Sequence, residues 1–238
     1  MSSSPSSTPK LTLNYFGIPG RAEPIRFAFA ASKIPFTNKV LGFAEFKNVK
    51  PTLPLGQVPT LDVEMGETKK TLTQTSAILR YVGKLGGLYP NDDFVTAMEI
   101  DEVLSILDDL RNPLVLTIAG SVKSLLSDET EFTSEEKLAI RNRWVEKTFP
   151  VTLGFIEKKI TQNENSEWIV GDSLSIADLT LYCDFAWYFG GILDGVPTDV
   201  LDSYPACSKL MENVKSQEGI KKWMDTYSKP YSTFDYEP

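Results

Sequence analysis

A phenol at the end of a strand, a hydroxyl at the start of a helix and a pair of neighbouring carboxylates are the groups through which this chain could act. Tyr15 stands where an alternating segment runs into Gly17-Ile18-Pro19-Gly20, a Gly/Pro loop in which a phenol can meet a ligand. By position alone it reads more readily as an ordinary half-buried strand tyrosine. Gln74 and Thr75 precede an apolar helical run, so Thr75 can act as N-cap while the exposed amides form an anion site. On residue type alone that is a plain cap. Asp108 and Asp109 place two carboxylates on a helix, ordinarily a solvated acidic face. No histidine occurs in the chain, which removes Ser-His-Asp and Cys-His nucleophile systems, an imidazole base and His-ligated metals. Cys183 and Cys207 cannot supply a disulfide framework, a Cys₄ zinc site or a CxxC pair. Chemistry must come from hydroxyls, carboxylates, amides and backbone, or be brought in by a cofactor.

The elements that position these groups change character along the chain. Leu11, Leu13 and Tyr15 alternate with Thr12, Asn14 and Phe16, the period of a strand, which puts Asn14 on the face opposite Tyr15. Arg21–Ser32 follows as a helix, with Pro24 tolerated in its first turn, and Phe36–Leu41 as a second extended run. After the Pro/Gly loop 51–59 come a strand at Thr60–Glu64, a turn at Met65-Gly66-Glu67, a strand at Lys69–Leu72 and a helix Ser76–Leu85 closed by Gly86-Gly87. Beyond Pro90 every apolar period is helical: Ile100, Val103, Leu104, Leu107 and Leu110, then Leu138 to Ile160 with a kink predicted at Pro150. Ser175-x-x-Asp178 heads a further apolar run as a capping-box signal. The reading is α/β plus all-α: a tail over 1–9, an α/β domain over 10–89 and a helical domain over 90–238.

The balance of 24 Lys+Arg against 32 Asp+Glu leaves a net charge of -8, which argues against a nucleic-acid partner. No apolar stretch approaches the ~18 residues of a membrane span. The Ser/Pro-rich tail has no basic n-region or apolar core, so it does not read as a secretory signal, and it is expected to be disordered. With few cysteines, the expected location is the cytoplasm.

Leu13–Glu23 (LNYFGIPGRAE), Leu53–Pro59 (LPLGQVP), Gln74-Thr75 followed by Ala77–Tyr81, and Asp172–Asp178 together resemble, in this order, the cytosolic glutathione S-transferases, most closely the tyrosine-type, sigma-like branch. The resemblance covers nearly all of the chain beyond Pro9. It implies a thioredoxin-like N-terminal domain that binds glutathione as cosubstrate, an all-helical C-terminal domain and a homodimer.

The resemblance also implies roles for individual residues. Tyr15 is the donor to the glutathione sulfur and Arg21 orients its loop. Val58, before a Pro59 implied to be cis, pairs its backbone with the cysteinyl part. Gln74 and Thr75 hold the γ-glutamyl carboxylate, and Lys50 and Gln57 the glycyl end. Phe46 stands where sigma-like proteins usually carry a Trp that donates to the glycyl carboxylate; a phenyl ring has no N–H, so that contact is replaced or lost. Asp109 is implied to reach the γ-glutamyl ammonium across the dimer interface. Ser105 occupies the first position of an acidic triplet that binds a divalent cation in some relatives, so no metal is expected. Ile18, Leu114, Leu116 and Ile118 are candidates for an electrophile pocket and are as readily core positions. The activity implied is conjugation of glutathione to small hydrophobic electrophiles. The alternatives are a glutathione-dependent isomerase of the prostaglandin-synthase kind and a non-catalytic crystallin-like or ligand-binding relative.

Overall fold

The structure, a computed structural model, describes residues 9–118, 132–164, 166–227 and 229–238. The predicted tail over 1–9 lies, except for Pro9, outside the described residues. The chain divides into two compact units, 1–90 with 216–238, and 91–215.

In the first unit, β1 (Lys10–Tyr15) lies between β2 (Phe36–Val40), parallel to it, and β3 (Thr60–Met65), antiparallel. β4 (Thr68–Thr73) extends β3 through the Gly66-Glu67 turn. The parallel step from β1 to β2 is made through α1 (Glu23–Ala31), whose apolar run packs against α3 (Thr75–Gly86). Pro24 sits in the first turn of α1, after a short 3₁₀ turn over Gly20–Ala22. Gly87 ends α3 in the left-handed conformation at φ 73°. Leu11, Leu13 and Tyr15 are buried as the alternation requires. Asn14, on the other face, is buried too, because its Nδ2 donates to Thr60 Oγ1 at 3.2 Å and Asp62 Oδ2 at 3.3 Å. One helix escaped the periodicity: α2 (Phe43–Val49) buries none of its residues, so it carries no amphipathic stripe.

The end of the chain departs from the domain reading, which assigns all of 90–238 to the helical domain. From Ser216 the chain belongs to the first unit. There α9 (Glu218–Thr226) packs on α1, and β5 (Phe234–Tyr236) pairs antiparallel with β2, making the sheet order β4-β3-β1-β2-β5. The physical cause is aromatic burial. Phe29 stacks on Phe36 at 4.2 Å, Phe36 on the wholly buried Trp223 at 5.9 Å, and Tyr227 on Phe234 at 4.2 Å.

In the second unit, α4 (Phe94–Ile118) packs against α5 (Ser134–Arg143), α6 (Phe149–Gln162) and α7 (Ile176–Tyr188). Trp144 is fixed in its core, its indole N–H donating to the Leu110 carbonyl at 2.8 Å. The break predicted at Pro150 takes the form of a π turn over Trp144–Thr148, with Pro150 in the first turn of α6. Proline has no N–H for the carbonyl four residues back, and the wider turn redistributes the bonds. Ser175 and Asp178 close the capping box ahead of α7. Glu157 caps the start of α8 (Pro205–Ser216), accepting from the amides of Ala206 at 2.8 Å and Cys207 at 2.9 Å. Neither Cys183 nor Cys207 forms a disulfide among the described residues. Burial, with the Glu157 carboxylate beside it, pushes the Cys207 thiol far above its ordinary range. Cys207 is therefore expected to resist iodoacetamide in the folded protein and to react once denaturant is added; rapid alkylation of the native chain, mapped by mass spectrometry, contradicts this.

Candidate functional site

Strand register gathers the candidate residues of the first unit at one end of the sheet. Asn14 pairs with Thr60, and Thr60 with Thr73. Tyr15 follows Asn14, Val58-Pro59 leads into Thr60, and Gln74 follows Thr73, so all of them leave the sheet at the same edge of three adjacent strands. Tyr15 also pairs with Val40, after which the chain enters α2 with Phe46.

Tyr15 is 7% exposed and its Oη accepts the Arg21 backbone N–H at 3.1 Å. The loop closes over that oxygen at Gly20, where φ is +46° and an added Cβ would stand 2.5 Å from Oη. Only glycine combines that backbone conformation with that approach. The Arg21 side chain itself is exposed, and what reaches Tyr15 is its amide.

The Val58–Pro59 bond is cis. Pro59 is buried, Val58 half-buried and Gln57 exposed. Among the described residues neither the N–H nor the carbonyl of Val58 has a partner. Gln74 is held at φ 71°, ψ 120°, a region that costs a non-glycine residue about 1–3 kcal/mol and marks functional positions more often than others. Its carbonyl accepts the Ile78 amide at 3.0 Å. Thr75 is not the cap: Gln74 holds that position, Thr75 is the first helical residue, and no side chain caps α3. The correction follows from the backbone, because the turn out of β4 is made at Gln74. Lys50 is exposed, and its stem lies along Gly56, where an added Cβ would meet its Cγ at 3.3 Å. The Phe46 ring meets Phe16 edge-on at 5.1 Å, and Phe16 stacks on Phe43 at 4.9 Å.

Arg26 is the residue that sequence reasoning passed over. It is wholly buried in α1. Its guanidinium donates to the carbonyls of Phe16 at 3.2 Å, Ile18 at 3.0 Å and Pro19 at 3.3 Å, to Asn38 Oδ1 at 2.9 Å and to Glu23 at 3.2 Å. Burial pulls its affinity for the proton down, and the Glu23 carboxylate opposes that. The available signal was an arginine set between Ile25 and Phe27 in an otherwise apolar run, since arginine is rarely buried without partners.

This geometry has relatives. Residues 11–84 match the family model described as "Glutathione S-transferase, N-terminal domain", and residues 122–226 match "Glutathione S-transferase, C-terminal domain". Glutathione S-transferase 1 of Ascaris suum is 30% identical over 222 residues, covering 91% of this chain and 96% of that protein. The chain belongs to the glutathione S-transferase family. Members of this family use glutathione as cosubstrate. The hematopoietic prostaglandin D synthase of Rattus norvegicus is 28% identical over 216 residues, covering 91% of this chain and 96% of its own. The crystal structure of the glutathione S-transferase from Ascaris lumbricoides aligns with a TM-score of 0.72 at 26% identity, covering 93% of this chain and all of that one. The thioredoxin-like sheet unit and the all-helical unit are those of this transferase family.

The remaining candidates of this family member are Ile18 in the same loop and four residues on α4. Ile18 is exposed in the Tyr15 loop. Asp109 is exposed on α4, and the neighbouring Asp108 accepts from Arg111 at 3.2 Å. Leu114 is wholly buried, Leu116 half-buried and Ile118 exposed. Leu114 thus has no surface to offer a ligand and is a packing residue, corrected from the electrophile set because α4 turns that face into the helical core. Among the described residues no helix is long and apolar enough to cross a membrane, and no cluster of His, Cys, Asp and Glu is arranged to hold a metal ion.

Proposed function

We propose that the chain binds glutathione across this sheet edge and transfers its sulfur, as the thiolate, to small hydrophobic electrophiles. The observation that carries the reading is the register row Asn14–Thr60–Thr73. Strands lie about 4.8 Å apart, so the span from β4 to β1 is about 10 Å, the length of an extended tripeptide at about 3.4 Å per residue.

Laid along that span, the γ-glutamyl carboxylate meets the uncapped amides of α3 at Gln74 and Thr75. The cysteinyl backbone pairs with the N–H and carbonyl of Val58 as an added strand. The thiol comes to Tyr15, and the glycyl carboxylate to Lys50 and Gln57. Phe46 offers no donor there and packs instead. Asp109 holds the γ-glutamyl ammonium of a second copy in a cytoplasmic homodimer.

A free thiol has a pKa near ~8.5 and is only a few per cent ionised at neutral pH. The Tyr15 hydroxyl donates to the sulfur and favours the anion. Accepting the Arg21 amide on the same oxygen polarises the phenol toward donation. The thiol proton passes to solvent, the sulfur attacks the electrophilic carbon, a C–S bond forms and the leaving group departs. The histidine-free composition fits this division of labour, since the nucleophile arrives with the cosubstrate.

Thioether formation from glutathione and chlorodinitrobenzene tests the reading. Absence of turnover together with failure to bind immobilised glutathione would overturn it in favour of a crystallin-like role. Gly20→Ala places a methyl group on the Tyr15 hydroxyl, and turnover is expected to fall about tenfold through misplacement of the donor; an unchanged rate means the loop does not set its position. The likeness to the rat prostaglandin D synthase favours one second reading, rearrangement of an endoperoxide by the same thiolate. That reaction would proceed without consuming glutathione, which separates it from conjugation.

A further inference from the structure

We infer that Arg26 and the C-terminal segment around Tyr231 are positioning groups for the Tyr15 loop, so that the end of the chain helps set how strongly the phenol activates a bound thiol. The inference rests on the reading of Tyr15 as the thiol donor.

The carbonyls that follow Tyr15 are all taken by fixed donors. Those of Phe16, Ile18 and Pro19 accept from the Arg26 guanidinium at 3.2, 3.0 and 3.3 Å, and that of Gly17 accepts the Tyr231 N–H at 2.8 Å. Loop carbonyls ordinarily face water, and a buried guanidinium ordinarily spends its donors on carboxylates. Here most of its fork is spent on a backbone path. The contact with the chain end is close: a Cβ at Gly17 would lie 2.8 Å from the Tyr231 carbonyl oxygen.

Tyr231 also holds Arg26. Its ring lies under the guanidinium at 4.4 Å, and its hydroxyl donates to Glu23 Oε1 at 2.6 Å while accepting from the Trp223 indole at 3.4 Å. Glu23 pairs in turn with Arg26 and with Lys229, each at 3.2 Å. The segment is tied down on its far side as well. Asn38 Nδ2 donates to the Ser232 carbonyl at 3.0 Å and the Val40 amide to Thr233 Oγ1 at 2.9 Å, ahead of β5. Arg26 is also 5.7 Å from the Tyr15 ring centroid, so the clamp carries both a position and a charge toward the phenol.

The test uses full-length Tyr231→Phe, Arg26→Lys and Tyr15→Phe. For each, the pKa of bound glutathione is read from thiolate absorbance, kcat and KM are separated, and the melting temperature is measured. Tyr231→Phe keeps the backbone bond to Gly17 and loses the Glu23 contact. It is expected to raise the bound thiol pKa by about half a unit and to lower kcat about threefold at mildly acid pH, with KM for glutathione within about twofold. Arg26→Lys keeps the charge and loses the fork, and is expected to raise the thiol pKa by about one unit and lower kcat about tenfold. A lowered melting temperature with wild-type thiol pKa and kcat in both variants overturns the proposal and leaves a purely structural clamp. A Tyr15→Phe protein with an unshifted thiol pKa overturns the reading of Tyr15 instead. Should Arg26→Lys fail to fold, Tyr231→Phe decides alone, since it removes a single oxygen.

Discussion

Tyr15→Phe is expected to lower kcat/KM for thioether formation about 30- to 150-fold at neutral pH, because a hydrogen bond to a charged partner contributes about 2–3 kcal/mol. The same energy corresponds to about two pKa units on the bound thiol. The deficit should therefore be largest where the wild type holds a thiolate and the variant holds a thiol, and it should shrink as pH rises past ~8.5, where glutathione ionises unaided. The phenyl ring fills the same space against Phe16, whose ring lies 5.4 Å away, so the melting temperature should hardly move. A pH profile of kcat/KM for both proteins measures this. A variant with an undiminished rate at neutral pH removes Tyr15 from the chemistry and leaves Gly20 and Arg26 without a catalytic purpose.

Asp178→Ala is expected to destabilise the helical unit by about 3–5 kcal/mol. The Asp178 carboxylate is wholly buried and accepts from the Ile169 amide at 2.9 Å, the Ser175 amide at 2.8 Å and the Ser175 hydroxyl at 2.7 Å. Truncation strands those donors away from water, and each buried unsatisfied group costs about 1–3 kcal/mol. Asp178→Asn keeps an acceptor oxygen and should cost less. Burial pushes the Asp178 carboxyl up to about 6 from 3.8, against the pull of its three donors. A folded-state pKa above the unfolded one means that its contribution to stability is fully present below about pH 4 and fades as pH rises through about 6. Urea unfolding at pH 5 and pH 7 should show Asp178→Asn losing this part of the difference. A variant with the wild-type pH response contradicts the assignment.

The residues with local signatures were readable in advance. Alternation at Leu11, Leu13 and Tyr15 announced β1, and Ser175-x-x-Asp178 announced the start of α7. Gly87 closed α3 in the conformation that glycine tolerates best. Each is a property of a few consecutive residues, and so it survives without knowledge of the fold. The family motifs belong to the same class, because their order along the chain is itself sequence.

What failed locally failed for a common reason. α2 buries nothing and so leaves no periodic trace, while Gln74 rather than Thr75 became the cap because the chain turns there at a positive φ. Leu114 looked like any apolar residue on α4 until the helix faced it inward. Alternation places Asn14 opposite Tyr15, but its burial requires Thr60 and Asp62 from another strand.

Without histidine few groups remain that could act, and the sequence by itself identifies most of them. It determined that a histidine-activated nucleophile is missing, that a phenol stands at the mouth of a Gly/Pro loop, and which family pattern surrounds that phenol. Only the tertiary structure decided how the phenol is held. Gly20 covers its oxygen, Arg26 fastens the loop behind it, and Tyr231 returns from the far end of the chain to fasten Arg26. Those contacts join residues as far as 208 positions apart, and their worth depends on the exclusion of water from a buried guanidinium. No short window of sequence contains that information.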